Sequence, residues 1–166
     1  SDDFRLVLEA HSGRSLGRLF DQWFATAGYP DIEVKFDYDT KKKQATFTID
    51  QKQCKDGTPA FLLNTDLGWT IDGNESRYPI KLDQARHIFV IAMENEPQMV
   101  RFDPSMKVLH KLSFNPGDEK LRRQLVASPD IMGRIRAAYE LAKTAKRSNI
   151  QAVIDAYANE SFWGVR

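Results

Sequence analysis

Between Ile32 and Ile49 the chain alternates with period two. Ile32, Val34, Phe36 and Tyr38 are apolar, and the residues between them, Glu33, Lys35 and Asp37, are charged. After a polar turn from Asp39 to Lys43 the pattern resumes, with Ala45, Phe47 and Ile49 set against Thr46, Thr48 and Asp50. Alternation puts successive side chains on opposite faces, so both runs read as half-buried strands, apolar inside and charged outside, joined as an antiparallel hairpin. Further strands are predicted over 60–67, 68–72, 77–82, 86–93, 98–102 and 106–114. Pro30, Pro59, Pro97 and Pro104 fall between these runs. Pro79 falls inside one, which suggests an edge strand or a bulge. About seven short strands separated by turns read as a small antiparallel β-sandwich.

The texture on either side is helical. Phe4, Val7, Leu8 and His11 recur at helical spacing after Asp2 and Asp3, and Gly13 supplies a left-handed stop. Ser15 is the expected N-cap of a second helix, whose buried face would be Leu16, Leu19, Phe20, Trp23 and Phe24. Gly28 and Tyr29-Pro30 end it. From about residue 117 the helical spacing returns. Asp118 is an expected cap, and Ser128-Pro129 an expected N-cap with proline at the first helical position. Ser148 and Gln151 match a capping box. Ile131, Ile135, Ala138 and Leu141, and then Ile150, Val153, Ile154 and Tyr157, give two apolar stripes of a helical-hairpin layer. Helices segregated at the two ends of a run of strands make the fold class α+β and argue against a doubly wound parallel sheet.

Composition bounds the function. A chain of 166 residues is one ordinary domain, or two small ones sharing a core. The longest apolar run, Ile88 to Met93, is far short of the roughly 20 residues of a membrane span. The formal net charge of +1 argues against a dedicated nucleic-acid binder. Ser1-Asp2-Asp3 lacks a secretory signal pattern and reads as a cut edge as easily as a natural start. Cys54 is the single cysteine, so no intrachain disulfide forms, and a lone thiol leans toward the cytoplasm.

Chemistry-bearing residues are sparse. The three histidines, His11, His87 and His110, are scattered, whereas a His-Glu-x-x-His zinc site needs two of them one helical turn apart. They read as two strand residues and a helix end. Cys54 has no Cys-x-x-Cys partner and reads as an inert thiol at a strand end. There is no nucleophile elbow and no phosphate-cradling loop. Asp66, Asp72 and Asp83 could form an acid–base pair but read as solvated groups in turns and on polar faces. The helical tail is mildly basic (Lys120, Arg122, Arg123, Arg134, Arg136, Lys143, Lys146, Arg147), which reads as a solvated face before it reads as a site for an acidic partner. Phe20, Trp23 and Phe24 read as core, or as a face covered by further chain.

Several strings resemble one family. Ser12-Gly13-Arg14-Ser15-Leu16, Phe20-Asp21-Gln22-Trp23-Phe24 and Gly28-Tyr29-Pro30 resemble the end of the catalytic domain in zinc aminopeptidases of the membrane alanine aminopeptidase (aminopeptidase N) family. Val100-Arg101-Phe102-Asp103-Pro104 resembles a strand and turn near the end of the β-sandwich that follows there. Residues Pro129 to Ala138 and Phe162-Trp163-Gly164-Val165-Arg166 resemble the opening of its helical C-terminal domain. The resemblance implies terminal catalytic-domain helices over 1–28, a β-sandwich domain over 29–115 and the start of a helical domain over 116–166. It implies a hydrolase parent, a metallopeptidase that removes N-terminal residues from peptides with zinc. The family's His-Glu-x-x-His, its further Glu ligand, its Gly-x-Met-Glu-Asn motif and its catalytic Tyr are absent from these residues, so no catalytic, substrate-binding or metal residue is carried over. The implied partners are the parent's catalytic and C-terminal domains and, for the parent, a peptide substrate. The expectation is a non-catalytic spacer without a cofactor of its own. Two alternatives stay open: an aminopeptidase-like scaffold without activity, and a β-sandwich module binding peptide or carbohydrate through Trp69 and Tyr78.

Overall fold

The computed structural model describes residues 2–162 and bears out an α+β fold. Trp163 to Arg166, part of the last family-like string, lie outside the described residues. The first helix, α1 (Asp2–Ser12), stops at Gly13, whose φ of 65° a side chain would resist. Next comes α2 (Gly17–Phe20), continued by a π-helical turn over Asp21–Ala25. Ser15 does not cap α2. Glu9 of α1 reaches forward instead, and its carboxylate accepts the Leu16 N–H at 2.6 Å. That bond, reinforced by Arg5, holds the Glu9 carboxyl below the usual carboxylate range.

The expected hairpin is present as β1 (Asp31–Asp39) and β2 (Gln44–Gln51), with Phe36 facing Phe47 in register. A 3₁₀ turn over Lys52–Asp56 leads to β3 (Leu63–Ile71). The strands predicted over 60–67 and 68–72 are therefore one. Gly68, which looks like a break, is a close approach: a Cβ there would sit 3.1 Å from Pro104 Cγ. The turn Asp72-Gly73, both at positive φ, returns the chain as β4 (Asn74–Leu82). There follow β5 (Arg86–Ala92), β6 (Met99–Phe102) and β7 (Lys111–Phe114). Two sheets result, ordered β5-β2-β1-β7 and β4-β3-β6. Pro79 lies on β4, an edge strand, where its missing N–H costs no ladder bond. All pairings are antiparallel except β1 with β7, which run parallel because the 103–110 loop carries the chain across from one sheet to the other.

Alternation works as expected in β2, where Ala45, Phe47 and Ile49 are buried. They meet Leu63, Leu67, Leu82, Val100 and Phe102 of the second sheet in one apolar core. The helical layer is α3 (Asp118–Ala127), α4 (Ile131–Lys143) and α5 (Arg147–Asn159), with its own small core around Leu121, Leu125, Ala137 and Leu141. Two expected caps are displaced. Asp118 pairs with Lys146 instead of capping α3, and Asp130, not Ser128, caps α4, accepting the Gly133 N–H at 2.7 Å. The capping box at Ser148 does not form: Gln151 donates to Asp155, and the cap position is Lys146.

Candidate functional site

All four residues of β6 are buried, because the strand is covered on both faces. Val100 and Phe102 enter the sandwich core, while Arg101 points away from it toward the helices. A guanidinium placed there must find an anion, since a buried unpaired charge is expensive. It finds Asp130, with Nη1 2.6 Å from Oδ2. Burial alone would push the Asp130 carboxyl up, but Arg101, the Gly133 N–H and Ser128 together hold it below its ordinary value. The cap of α4 is thereby also the latch that fastens the helical layer to the sandwich. Gly133 makes room for it: a Cβ at this position would lie 2.1 Å from Ser128 Oγ and 3.0 Å from Arg101 Nη2.

One turn along the chain, Asp103 is 1% exposed, with φ at 48°. Its carboxylate accepts from Thr65 Oγ1 at 2.7 Å and from the backbone N–H groups of Lys107 and Val108. The turn 103–108 is wound around that carboxylate, which is why a charged side chain can sit in the interior. His110 lies beside it, with Nδ1 2.9 Å from the Val108 carbonyl oxygen and 3.7 Å from Asp103 Oδ2. A carbonyl only accepts, so the network places the hydrogen on Nδ1 and leaves Nε2 to accept from Arg136, at a long 3.5 Å. Burial pushes the imidazole below its ordinary value. The Val108 carbonyl and Asp103 pull the other way, and Arg136 adds to the depression.

Arg101, His110 and Arg136 border a cavity of about 240 Å³ where both sheets and the helical layer meet. Its carbon walls are Phe102 of β6, Leu112 and Phe114 of β7, and Leu121 of α3. Asp103, Asp130 and the cavity were not assigned by sequence reasoning, although Arg101 to Pro104 and Asp130 to Arg136 lie inside the family-like strings. The available signal was Arg101 itself, a charge between two apolar strand residues.

The other candidate residues are not brought together. His11 ends α1, His87 on β5 accepts the N–H groups of Asp83 and Gln84, and His110 lies at the junction. Among the described residues no group of three His, Cys, Asp or Glu is placed to hold a metal ion, so the residues present do not fit the zinc that the resemblance implies for a parent. Burial pushes the Cys54 thiol up, away from the thiolate a nucleophile needs. Asp66 is not solvated: it is 6% exposed and pairs with Lys107 at 2.6 Å. Asp72 takes Gln98 and Asp83 takes Lys81, so no two of the three aspartates form an acid–base pair. Among the described residues, four of the eight basic residues of the tail are ion-paired, Lys120 with Glu96, Arg134 with Glu160, Lys143 with Glu140 and Lys146 with Asp118. Trp69 packs on the core and offers no open platform, whereas Tyr78 on β4 is exposed. No helix among the described residues is long and apolar enough to cross a membrane.

No family model and no curated protein matches this chain by sequence. Solved structures do match. In one, the crystal structure of Legionella pneumophila aminopeptidase A in complex with aspartic acid, the similar region covers 99% of this chain at a TM-score of 0.65 and 17% identity. It covers 18% of that aminopeptidase's chain, so this chain spans under a fifth of the length of the protein it resembles. Helices, two sheets and helical layer thus follow one another here as in a segment of a larger aminopeptidase fold.

Proposed function

We propose that this chain is a non-catalytic spacer of a larger zinc aminopeptidase of the membrane alanine aminopeptidase family. In that protein it would hold a helical C-terminal domain in register with the catalytic domain. The observation that carries this reading is the fold likeness, which runs over nearly the whole chain yet occupies 18% of an aminopeptidase. Two features support it. The helix α1 has no buried residue, and Phe4, Leu6 and Val7 are all more than half exposed, as expected of a helix whose cover lies elsewhere in a parent. The Arg101–Asp130 latch gives the stiffness a spacer needs, because it ties strand β6 to the start of α4. The zinc and its ligands would belong to the parent's catalytic domain and not to the residues of this chain. The partners are then the parent's own catalytic and C-terminal domains.

The test is metal analysis of the purified chain together with hydrolysis of an aminoacyl-naphthylamide. The expected result is no stoichiometric zinc and no turnover above buffer. Tight zinc with turnover overturns the reading.

A further inference from the structure

One sheet edge of the sandwich is left open. β5 ends the order β5-β2-β1-β7, and β2 is the strand that pairs with it. Antiparallel partners alternate between residues that exchange backbone hydrogen bonds and residues that do not. In this ladder the Met93 N–H donates to the Lys43 carbonyl at 2.9 Å, and the Gln51 N–H to the Ala85 carbonyl at 2.8 Å. The odd-numbered residues of β5 therefore turn their backbone groups toward β2. Arg86, Ile88, Val90 and Ala92 turn theirs outward, and no backbone hydrogen bond among the described residues takes them up. The side chains point the same way. Ile88 and Val90 are 60% and 57% exposed, and Phe89 and Ile91 are only partly buried against the core. Exposed edges are commonly guarded by charge, proline or short length. β4, an edge of the other sheet, carries Glu75, Arg77, Lys81 and Pro79, while β6 and β7 have four residues each. β5 runs for seven residues, with no Asp, Glu, Lys or Arg after Arg86.

We propose that β5 is a self-association edge, pairing antiparallel with β5 of a second copy about a two-fold axis at Phe89. The register follows from the outward groups. Among registers that bring outward residues face to face, the one centred on Phe89 pairs all four: Arg86 with Ala92 of the second copy, Ile88 with Val90, and the reverse. It sets β-branched side chains opposite one another on the outer face, a favourable cross-strand pair. It also matches charge. Arg86, held by Asp50, begins the strand, and Glu94, held by Lys43, follows its end. Antiparallel pairing puts Arg86 one diagonal step from Glu94 of the second copy, within reach of long side chains. Signs then alternate at both ends of the pair, Asp50 and Arg86 of one copy against Glu94 and Lys43 of the other. The same edge is used on both copies, so assembly closes at two chains. One strand pair is smaller than a standard interface, so the association is weak and dilute chain stays monomeric. The inference rests on the sheet edge and does not depend on the spacer reading.

The test combines sedimentation equilibrium of the 166-residue chain, carried up to about 1 mM, with amide hydrogen exchange. The expected result is a monomer–dimer equilibrium. The Ile88 and Val90 amides should exchange freely in dilute chain and slow as the dimer fills, while those of Phe89 and Ile91 are protected throughout. The double change Ile88→Lys with Val90→Lys alters two exposed positions and sets like charges opposite one another, so it should weaken the dimer by about tenfold or more. Val90→Pro removes an N–H that β2 does not use and should do the same. Phe4→Glu, at an exposed apolar position of α1, should leave the association unchanged. Should both β5 variants fail to fold, the exchange pattern of the unaltered chain decides alone. The proposal is overturned by a chain that stays monomeric, or by a dimer whose Ile88 and Val90 amides stay unprotected. Full association of a folded β5 variant overturns it as well, as does growth beyond two chains. Loss of association through Phe4→Glu also overturns it, by assigning the contact to α1.

Discussion

Arg101 and Asp130 are unequal partners, and the inequality is measurable. Arg101 is 9% exposed at its side chain, whereas Asp130 is 32% exposed. Asp130→Ala leaves a buried guanidinium without its anion and removes the cap of α4, so it should cost about 3 kcal/mol or more in urea unfolding. Arg101→Met leaves a half-wetted carboxylate still capping the helix and should cost about half as much. Equal costs would show that the pair is not desolvated as described. Gly133→Ala is a second residue-scale test. Alanine improves helix propensity by about 1 kcal/mol. Its Cβ, however, meets Ser128 in a packed layer, where overfilling costs about 1–3 kcal/mol. The net expectation is destabilisation, and a gain in stability would contradict the contact. His110 adds a pH dependence. Its pKa is lower folded than unfolded, so between the ordinary value near 6.5 and the depressed one the unfolded chain holds more protons. Stability therefore falls as pH drops through that window. Asp103 and Arg136 face the ring with opposite effects, Arg136 lowering its pKa and Asp103 raising it. His110→Asn should flatten the stability profile over that range relative to the parent sequence. An unchanged slope would mean that the buried imidazole is not held neutral.

Among the elements, α1 stands apart, because it buries nothing while β2 buries every second residue. Hydrogen exchange should separate them. The amides of α1 should exchange by local opening, well before those of β2 and β3, which open only with the whole fold. Equal protection would place α1 inside the cooperative core. The elements also show where a sequence can be read and where it cannot. β1 and β2 were legible because one wet face and one dry face leave a clean alternation. β3 was not, because neither face is wet around Thr65 to Gly68: Asp66 is covered by Lys107, and Gly68 lies under Pro104. The helices were found, but their caps were misplaced, since capping depends on which side chain arrives first in space. Glu9 displaced Ser15 and Asp130 displaced Ser128, each through a bond that spacing alone does not rank. The junction cluster was illegible for a related reason. Arg101 signals that it needs a partner, but Asp130 lies 29 positions away in sequence, and only the packed layers bring them together.

For the whole molecule, the reading is mechanical. Two sheets share one apolar core, the helical layer has another, and where they meet lie a polar latch, a buried carboxylate wound by its own turn, and a small cavity with both polar and carbon walls. Polar contacts of this kind add little net stability, but they fix relative orientation, because each demands its one partner. That is what a spacer between larger bodies requires. The direct measurement is the distance between spin labels on the sandwich and on the helical layer. Labels at Lys35→Cys on β1 and Arg123→Cys on α3, in a Cys54→Ser background, occupy exposed positions on the two parts. The expected result is one narrow distance distribution that broadens when Asp130 is replaced by Ala. A broad or multiple distribution in the chain with the latch intact would contradict a rigid spacer.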